Sequence, residues 1–407
     1  MISEAPGERP IFGLIVGWCG FLEKDFSMPV SASISDHFRD VTDPRRGEPV
    51  YPLDEILFIA ICAVICGADD FVAIAKFGRT KKEWFAKYLD LSEGIPSHDR
   101  FNAILALVRP EEFEKCLLQW VTALQDITDG QIVAIDGKTL RRSYDKASRK
   151  SAIHMVSAWA TENHISLGQV VVDAKSNEIT AIPKLLELIE VSGALVTIDR
   201  APSQGLGRGC QTEIAAKIIE AEADYCLAAK GNQPTLHNGL IEFFDDHLED
   251  DFARYPVRRF ETNEKAHGRE DLRSYLICPV PESLPDAARW KNLKAIGIAI
   301  NNTMRDGVMV IAIRYYILSR YVSGKRFAEA VRSHWGIENN LHWQLDVTFS
   351  EDLSRIRKGH ADTNFSTLRR TALSLLKREA TAKVGIKNKR LTAGWDEAYL
   401  EKVLFSK

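Results

Sequence analysis

The chain has 407 residues, 45% of them hydrophobic and 27% charged. These proportions suit a globular protein of two or three domains and exclude a disordered tail, a collagen and a small disulfide scaffold. The net charge of −3 rules out a uniformly basic surface, and no apolar run reaches the roughly 18–20 residues of a membrane span.

Residues 1–30 read as a tail with no assigned role. Ile11–Leu22 is apolar but short and carries three glycines. Only Arg9 precedes it, against Glu4 and Glu8, so no export signal is expected, and Met28 is a candidate start. Seven cysteines fit a reduced, cytoplasmic setting. Cys62 and Cys66 are four apart in LFIAICAVICGA, which places them on one helix face as small buried residues. No further ligands stand at zinc-site spacing.

Residues 31–125 read as a helical domain. PLDEILFIAICAVICGADD has Pro52 at its start and Asp54 in its first turn. DDFVAIAKFGRTKKEWFAKYL follows with aromatic residues at helical spacing. SHDRFNAILALV opens on Ser97 as an N-cap, and PEEFEKCLLQWVTAL opens on Pro110.

Residues 126–230 change period. QIVAIDGKTL reads as a buried strand ending in an Asp-Gly turn. AIHMVSAWAT and SLGQVVVDAK read as strands around a turn at Glu162–Asn163. EITAIPKLLELIEV is helical despite Pro183, GALVTIDR is a strand, CQTEIAAKIIEAEA a helix and DYCLAAKGN a strand. A meander followed by helix-linked strands implies an α/β mixed sheet.

Residues 231–329 read as a mostly β insertion, with Arg-Asp-Gly as a hairpin turn at 305–307. The α/β core resumes over 330–380 with FAEAVRSHWGIENNLHWQLDVTF and a helix striped by Leu368, Leu373, Leu375 and Leu376. Residues 381–407 form a basic C-terminal segment. From Arg355 to Lys407 there are 13 Lys+Arg and 5 Asp+Glu, a net of +8, which leaves −11 on the other 354 residues. A second basic cluster is Arg141–Lys150. Such patches on a neutral chain can meet phosphate while the bulk stays near neutral.

Asp136 and Asp199 each end an apolar run, VAID and VTID. Burying a carboxylate there is costly unless something binds it, and ligand sites gather at such sheet edges. Two of them suggest a shared hard cation, Mg²⁺ or Mn²⁺ rather than zinc. Glu338 offers the third acid that a two-ion site needs. Helical spacing aligns it with Trp335, Leu341, His342 and Leu345 in a core-facing row. His334 and His342 read as orienting or satisfied core groups; Trp335 and Trp343 read as packing, or as platforms for a splayed base.

These stretches resemble the DDE transposases of bacterial insertion sequences, in the group that includes the H-repeat-associated proteins. The matches are DPRRGEPVYPLDEILF, GIPSHDRFN, AIDGKTLRRSYD, KSNEITAIPKLLEL, VTIDR, GCQTEIAAKII, LAAKGNQPTL, HGRED and HWGIENNLHWQLDVTFSED. The resemblance implies a ribonuclease-H-like core, a β insertion and a helical N-terminal domain that binds DNA. It implies Asp136, Asp199 and Glu338 as catalytic residues holding two Mg²⁺ (or Mn²⁺) ions. Lys138, Arg141, Arg142, Lys230, Arg332, Arg355, Arg357 and Lys358 are the expected DNA contacts. The implied partners are double-stranded DNA, as transposon ends and target, and a second copy on that DNA. No membrane partner is implied, and the location is cytoplasmic at the nucleoid. The activity is cutting at transposon ends and joining of the 3′-OH to target DNA. The competing readings are an inactive DNA-binding relic and a nuclease or resolvase that cuts without joining. Two departures stand out. RAPSQGLGRGCQ after Asp199 is longer than the family's turn, adding Arg200 and Arg208. Leu345 stands where some relatives carry lysine, so a basic role there passes to Arg355, Arg357 or Lys358.

Overall fold

A computed structural model describes residues 38, 40–123, 130–140, 154–172, 178–199, 211–266, 268–305 and 307–405. The loop after Asp199, the basic run 141–150 and Asp306 of the hairpin turn lie outside them.

Over the described residues from 53 to 123 the chain forms α1 (Leu53–Ile65), α2 (Phe71–Thr80), α3 (Lys82–Phe85), α4 (His98–Leu105) and α5 (Pro110–Ala123). Asp70 and Ser97 accept from the backbone N–H groups of Ala73 and Arg100, which fixes the starts of α2 and α4. From Leu53 to Ile65, α1 is buried on every face except at Asp54. A helix apolar all round belongs inside a protein rather than on its surface.

The sheet begins with β1 (Ile132–Thr139), β2 (His154–Ala160) and β3 (Ile165–Val172), an antiparallel meander. Helix α6 (Glu178–Leu188) contains Pro183 and leads to β4 (Leu195–Ile198). Helix α7 (Thr212–Glu220) then leads to β5 (Asp224–Ala229). β4 runs parallel to both β1 and β5, as strand–helix–strand crossovers require.

Helix α8 (Pro234–Glu249) opens the 231–329 region, followed by β6 (Arg258–Ala266), β7 (Arg269–Pro279), β8 (Ala295–Arg305) and β9 (Val308–Leu318). These strands extend the same sheet. β9 pairs with β5 through Tyr315–Leu318, giving one nine-stranded order β3-β2-β1-β4-β5-β9-β8-β7-β6.

Helix α9 (Gly324–Ile337) crosses one face of that sheet. Its Phe327 and Val331 share an apolar cluster with Ile132 of β1, Leu195 of β4 and Ile277 of β7. Gly297 of β8 lets the helix come this close, because a Cβ there would lie 2.5 Å from Cζ of Phe327. Gly297→Ala is therefore expected to destabilise the fold by about 1–3 kcal/mol through overpacking. Urea unfolding followed by tryptophan fluorescence measures the change.

After α9 come a π-helical turn (Glu338–His342), α10 (Trp343–Val347), α11 (Ala361–Arg378), α12 (Ile386–Trp395) and α13 (Glu397–Phe405). The leucines of α11 are buried, but so is every residue from Ala361 to Leu376. α11 packs against α1, α4 and α5 and against β3. One continuous apolar cluster thus runs from Phe38 to Leu404.

The basic C-terminal region is partly structural. Of its 13 cations, Arg369, Arg370, Lys389 and Arg390 are buried. Lys389 donates to the carbonyl of Leu376, and Arg390 to those of Val64 and Thr348. These cations donate to helix and loop carbonyls inside the protein rather than to solvent. No helix among the described residues is long and apolar enough to cross a membrane.

Candidate active site at the carboxyl edge of the parallel strands

The last parallel partners of β1 and β4 are Ala134 and Thr197. Asp136 and Asp199 each stand two residues further on, so period-two geometry puts both at one sheet edge and on one face. Asp199 follows the end of its strand, as expected. Asp136 does not: β1 continues through Gly137, Lys138 and Thr139, which pair with Val156, Met155 and His154. The expected Asp-Gly turn is absent because β2 is long enough to keep pairing past it.

Helix α9 reaches this edge from above. His334 sits 3.3 Å from the Thr197 hydroxyl through Nδ1 and 2.6 Å from the Asp199 carbonyl through Nε2. It pins the backbone that carries Asp199. Glu338 begins the π turn just beyond and is exposed. The expected core-facing row fails here: Leu341, His342 and Leu345 are buried, while Trp335 and Glu338 face outward. A π turn inserts an extra residue per turn and rotates the stripe. Glu338 therefore escapes the core that straight helical spacing assigns it.

Asp136, Asp199 and Glu338 line one open cleft of about 810 Å³ together with Lys138, Lys230 and Asp346. The Asp199 side chain is 6% exposed, with Lys230 Nζ 2.8 Å from Oδ1 and Arg314 3.6 Å from Oδ2. The Tyr316 hydroxyl donates to Oδ2 at 3.1 Å. Burial pushes this carboxyl's pKa up, but His334, Lys230 and Arg314 outweigh it, and the net shift is below the ordinary aspartate value. The charged form is thus held by cations of the chain itself.

His342 lies with Nδ1 3.6 Å from Asp136 Oδ2. Burial first, then Lys138 and Arg370, push its pKa down to about 3. It is neutral near pH 7, so the contact is not an ion pair, and its buried Nε2 has no hydrogen-bond partner.

Lys138 was expected at phosphate, yet its ammonium is held inside by Glu351 at 2.8 Å and by Asp346. Glu351 is fully buried, accepts from Ser366 at 2.6 Å and faces Arg370 at 3.4 Å. Burial raises the Glu351 pKa, and Arg370, Lys138 and Arg369 more than reverse that, holding it far below the carboxylate range.

Arg332 bonds Glu264 of β6 at 2.6 Å and borders an adjoining hollow with Arg269, Arg273 and Trp335. Arg355, Arg357 and Lys358 are not among the residues lining this cleft. They line a separate groove with Asp69, Asp70 and Asn102. Past α10 the chain turns at Ser350, whose φ is 53°, and heads towards the N-terminal helices. Lys138, paired with Asp346, is a cation held against the helix that carries Leu345. Arg141 and Arg142 lie outside the described residues.

Sequence reading overlooked Arg314 and Tyr316. Their signal was an Arg two positions before a Tyr inside an apolar strand, which puts both on one face. What hid them was the pairing of β9 with β5, distant in sequence.

The three carboxylates suit a hard divalent cation in kind and in location. They are not gathered to ligand distance: among the described residues no three His, Cys, Asp or Glu side chains share a potential ion site.

The family described as Transposase DDE domain matches residues 127–375, and DDE_Tnp_1-associated matches 35–121. The Escherichia coli O157:H7 protein named Putative transposase YncI is 42% identical over 379 residues, 92% of this chain and 95% of that one. The Escherichia coli K12 protein named H repeat-associated putative transposase YhhI is 37% identical over 384 residues, 91% and 97% of the two chains. A 74-residue stretch is 34% identical to Inactive transposase YbfQ of the same strain, 18% of this chain and 88% of that one. The chain belongs to the DDE transposase family.

Proposed function

We propose that this protein is an active insertion-sequence transposase. It cuts DNA at the ends of its element and joins the freed 3′-OH to target DNA. The observation that carries this reading is the placement of Asp136, Asp199 and Glu338 around one cleft at the carboxyl edge of the parallel strands. In this reading the sheet and its helices are a ribonuclease-H-like core, and the N-terminal helices help to hold DNA.

Asp136, Asp199 and Glu338 would hold Mg²⁺ or Mn²⁺, two ions in the full site. Such ions supply Lewis-acid activation of a hydroxyl and stabilisation of the leaving oxygen. The chain's own groups do the rest. His334 fixes the Asp199 backbone, and neutral His342 packs beside Asp136 without adding charge. Lys230 and Arg314 neutralise Asp199 in the free protein, and Lys230 would be available to the DNA backbone. Arg332 continues the cationic wall along the adjoining hollow. Arg355, Arg357 and Lys358 form a second contact outside the cleft.

Lys230→Ala is expected to tighten Mn²⁺ binding by the DNA-free protein, since it removes the cation competing for Asp199, and to weaken DNA binding. Electron paramagnetic resonance of free Mn²⁺ and gel shifts measure the two effects; looser Mn²⁺ binding would contradict this role. The joining step is tested with a pre-cut, 3′-OH-ended flank and a supercoiled target plasmid. Joined products support a transposase, and hydrolysis alone supports a nuclease on the same fold.

A further inference from the structure

The outer half of β9 is unlike the rest of the sheet. Val308 to Ile313 are all exposed, and Val308, Met309, Val310 and Ile311 each expose 57–62% of their surface. β9 pairs with β8 along its whole length but with β5 only from Tyr315 onward. Over Val308–Arg314 its other edge has no strand partner among the described residues. Natural edge strands are usually guarded by lysine, proline, a bulge or inward charge. This one carries no charge from Val308 to Ile313. Arg314, which follows, is turned to Asp199 and stacks 4.1 Å over the Trp335 ring.

We propose that this edge is the docking surface for a second copy of the chain, paired antiparallel β9 to β9 about a twofold axis. Three features favour this occupant. The unpaired amides and carbonyls call for an extended strand, which β-augmentation supplies. The absence of any cation from Val308 to Ile313 argues against a phosphate backbone on this edge, because phosphate contacts need Lys or Arg. An uncharged strand is complementary to itself in an isologous contact, where each residue meets its counterpart region. Six exposed side chains from each copy offer several hundred Å², of the order of the ~800 Å² per partner in a specific interface.

The free edge adjoins the cleft, since Ile313 and Arg314 line it together with Asp136 and Glu338. Pairing would therefore set two clefts side by side. Only that consequence rests on the proposed function; the pairing itself does not.

The test is sedimentation velocity of the full chain without DNA across micromolar concentrations. The wild type is expected to form a dimer. Ile311→Lys, which brings like charges together at the twofold, should weaken it at least about 100-fold. Val310→Glu provides a second variant if the first does not fold, with circular dichroism as the folding check. A further readout is crosslinking of Val310→Cys, against the wild type as control for the native thiols. A monomeric wild type overturns the proposal, as do folded variants that dimerise like the wild type. Variants that keep their sedimentation but lose affinity for flanking DNA would assign the edge to DNA instead.

Discussion

Asp199→Asn is expected to abolish strand cleavage, by at least about 10³-fold or roughly 4 kcal/mol of barrier, while binding of flanking DNA persists. Asparagine keeps the shape of the side chain and can still accept from the Tyr316 hydroxyl, which donates to Oδ2. It removes the negative charge on which Lys230 and Arg314 converge. Those cations are then free for phosphate, so affinity should hold or rise slightly. Gel shifts and cleavage of a labelled flank separate the two quantities. Loss of binding in step with cleavage would show that Asp199 maintains the fold and not the chemistry.

The second large effect concerns stability. Glu351 has a fully buried side chain between Lys138 and Arg370. Glu351→Ala leaves two buried cations facing each other and is expected to cost about 3–5 kcal/mol, the usual result of removing one partner from a buried ionic group. Glu351→Gln keeps an acceptor for Ser366 and should cost less. The pH dependence has a definite sign. The folded pKa of Glu351 is depressed, so its contribution is present above the unfolded value near ~4.3 and is lost as pH falls below it. His342, held neutral down to about 3, acts in the same direction from its unfolded value near ~6.5 downward. Wild-type stability should thus decline with acidification below about 6.5, and Glu351→Gln should flatten the part below about 4.3. Thermal melts across pH 3–8, a range set around those reference values, measure both limbs.

Much of the fold can be read in short stretches. Ser97 and Pro110 mark helix starts where they stand. The meander and the crossovers follow from runs such as IVAI and LVTI. What the sequence does not display is long-range pairing. Nothing local in RYYILS says that it pairs with CLAA of β5, so the union of the 231–329 strands with the core sheet is invisible, and with it the contacts of Arg314 and Tyr316 to Asp199. Asp136 and Asp199 stand out because an acid after a β-branched run is expensive. Glu338 stands out for a reason that does not apply: its stripe is broken by the π turn. Lys138 shows a partner the sequence hides. Its charge and its place beside Asp136 suggest phosphate, whereas the buried acid that takes it, Glu351, is 213 residues away.

The same distinction applies to the basic C-terminal region. Counting charges treats Arg369, Arg370, Lys389 and Arg390 as surface, yet each is inside the protein. Ala393, Leu400, Val403 and Leu404 of the last two helices belong to the main apolar cluster. Truncation after Ala380 would remove core rather than a tail. Any contribution of this region to DNA affinity is better sought by substituting exposed cations such as Lys383 and Lys387.

The most direct measurement is Mn²⁺-dependent cleavage of a plasmid carrying this gene with its native flanking DNA, with Glu338→Gln alongside. Glu338 is exposed at the cleft, so the substitution leaves the core untouched. The three-carboxylate account predicts metal-dependent cuts at the flanks by the wild type and none by the variant. Equal cutting by both would contradict it, and so would flank binding without cutting by the wild type, which is the behaviour of an inactive relic.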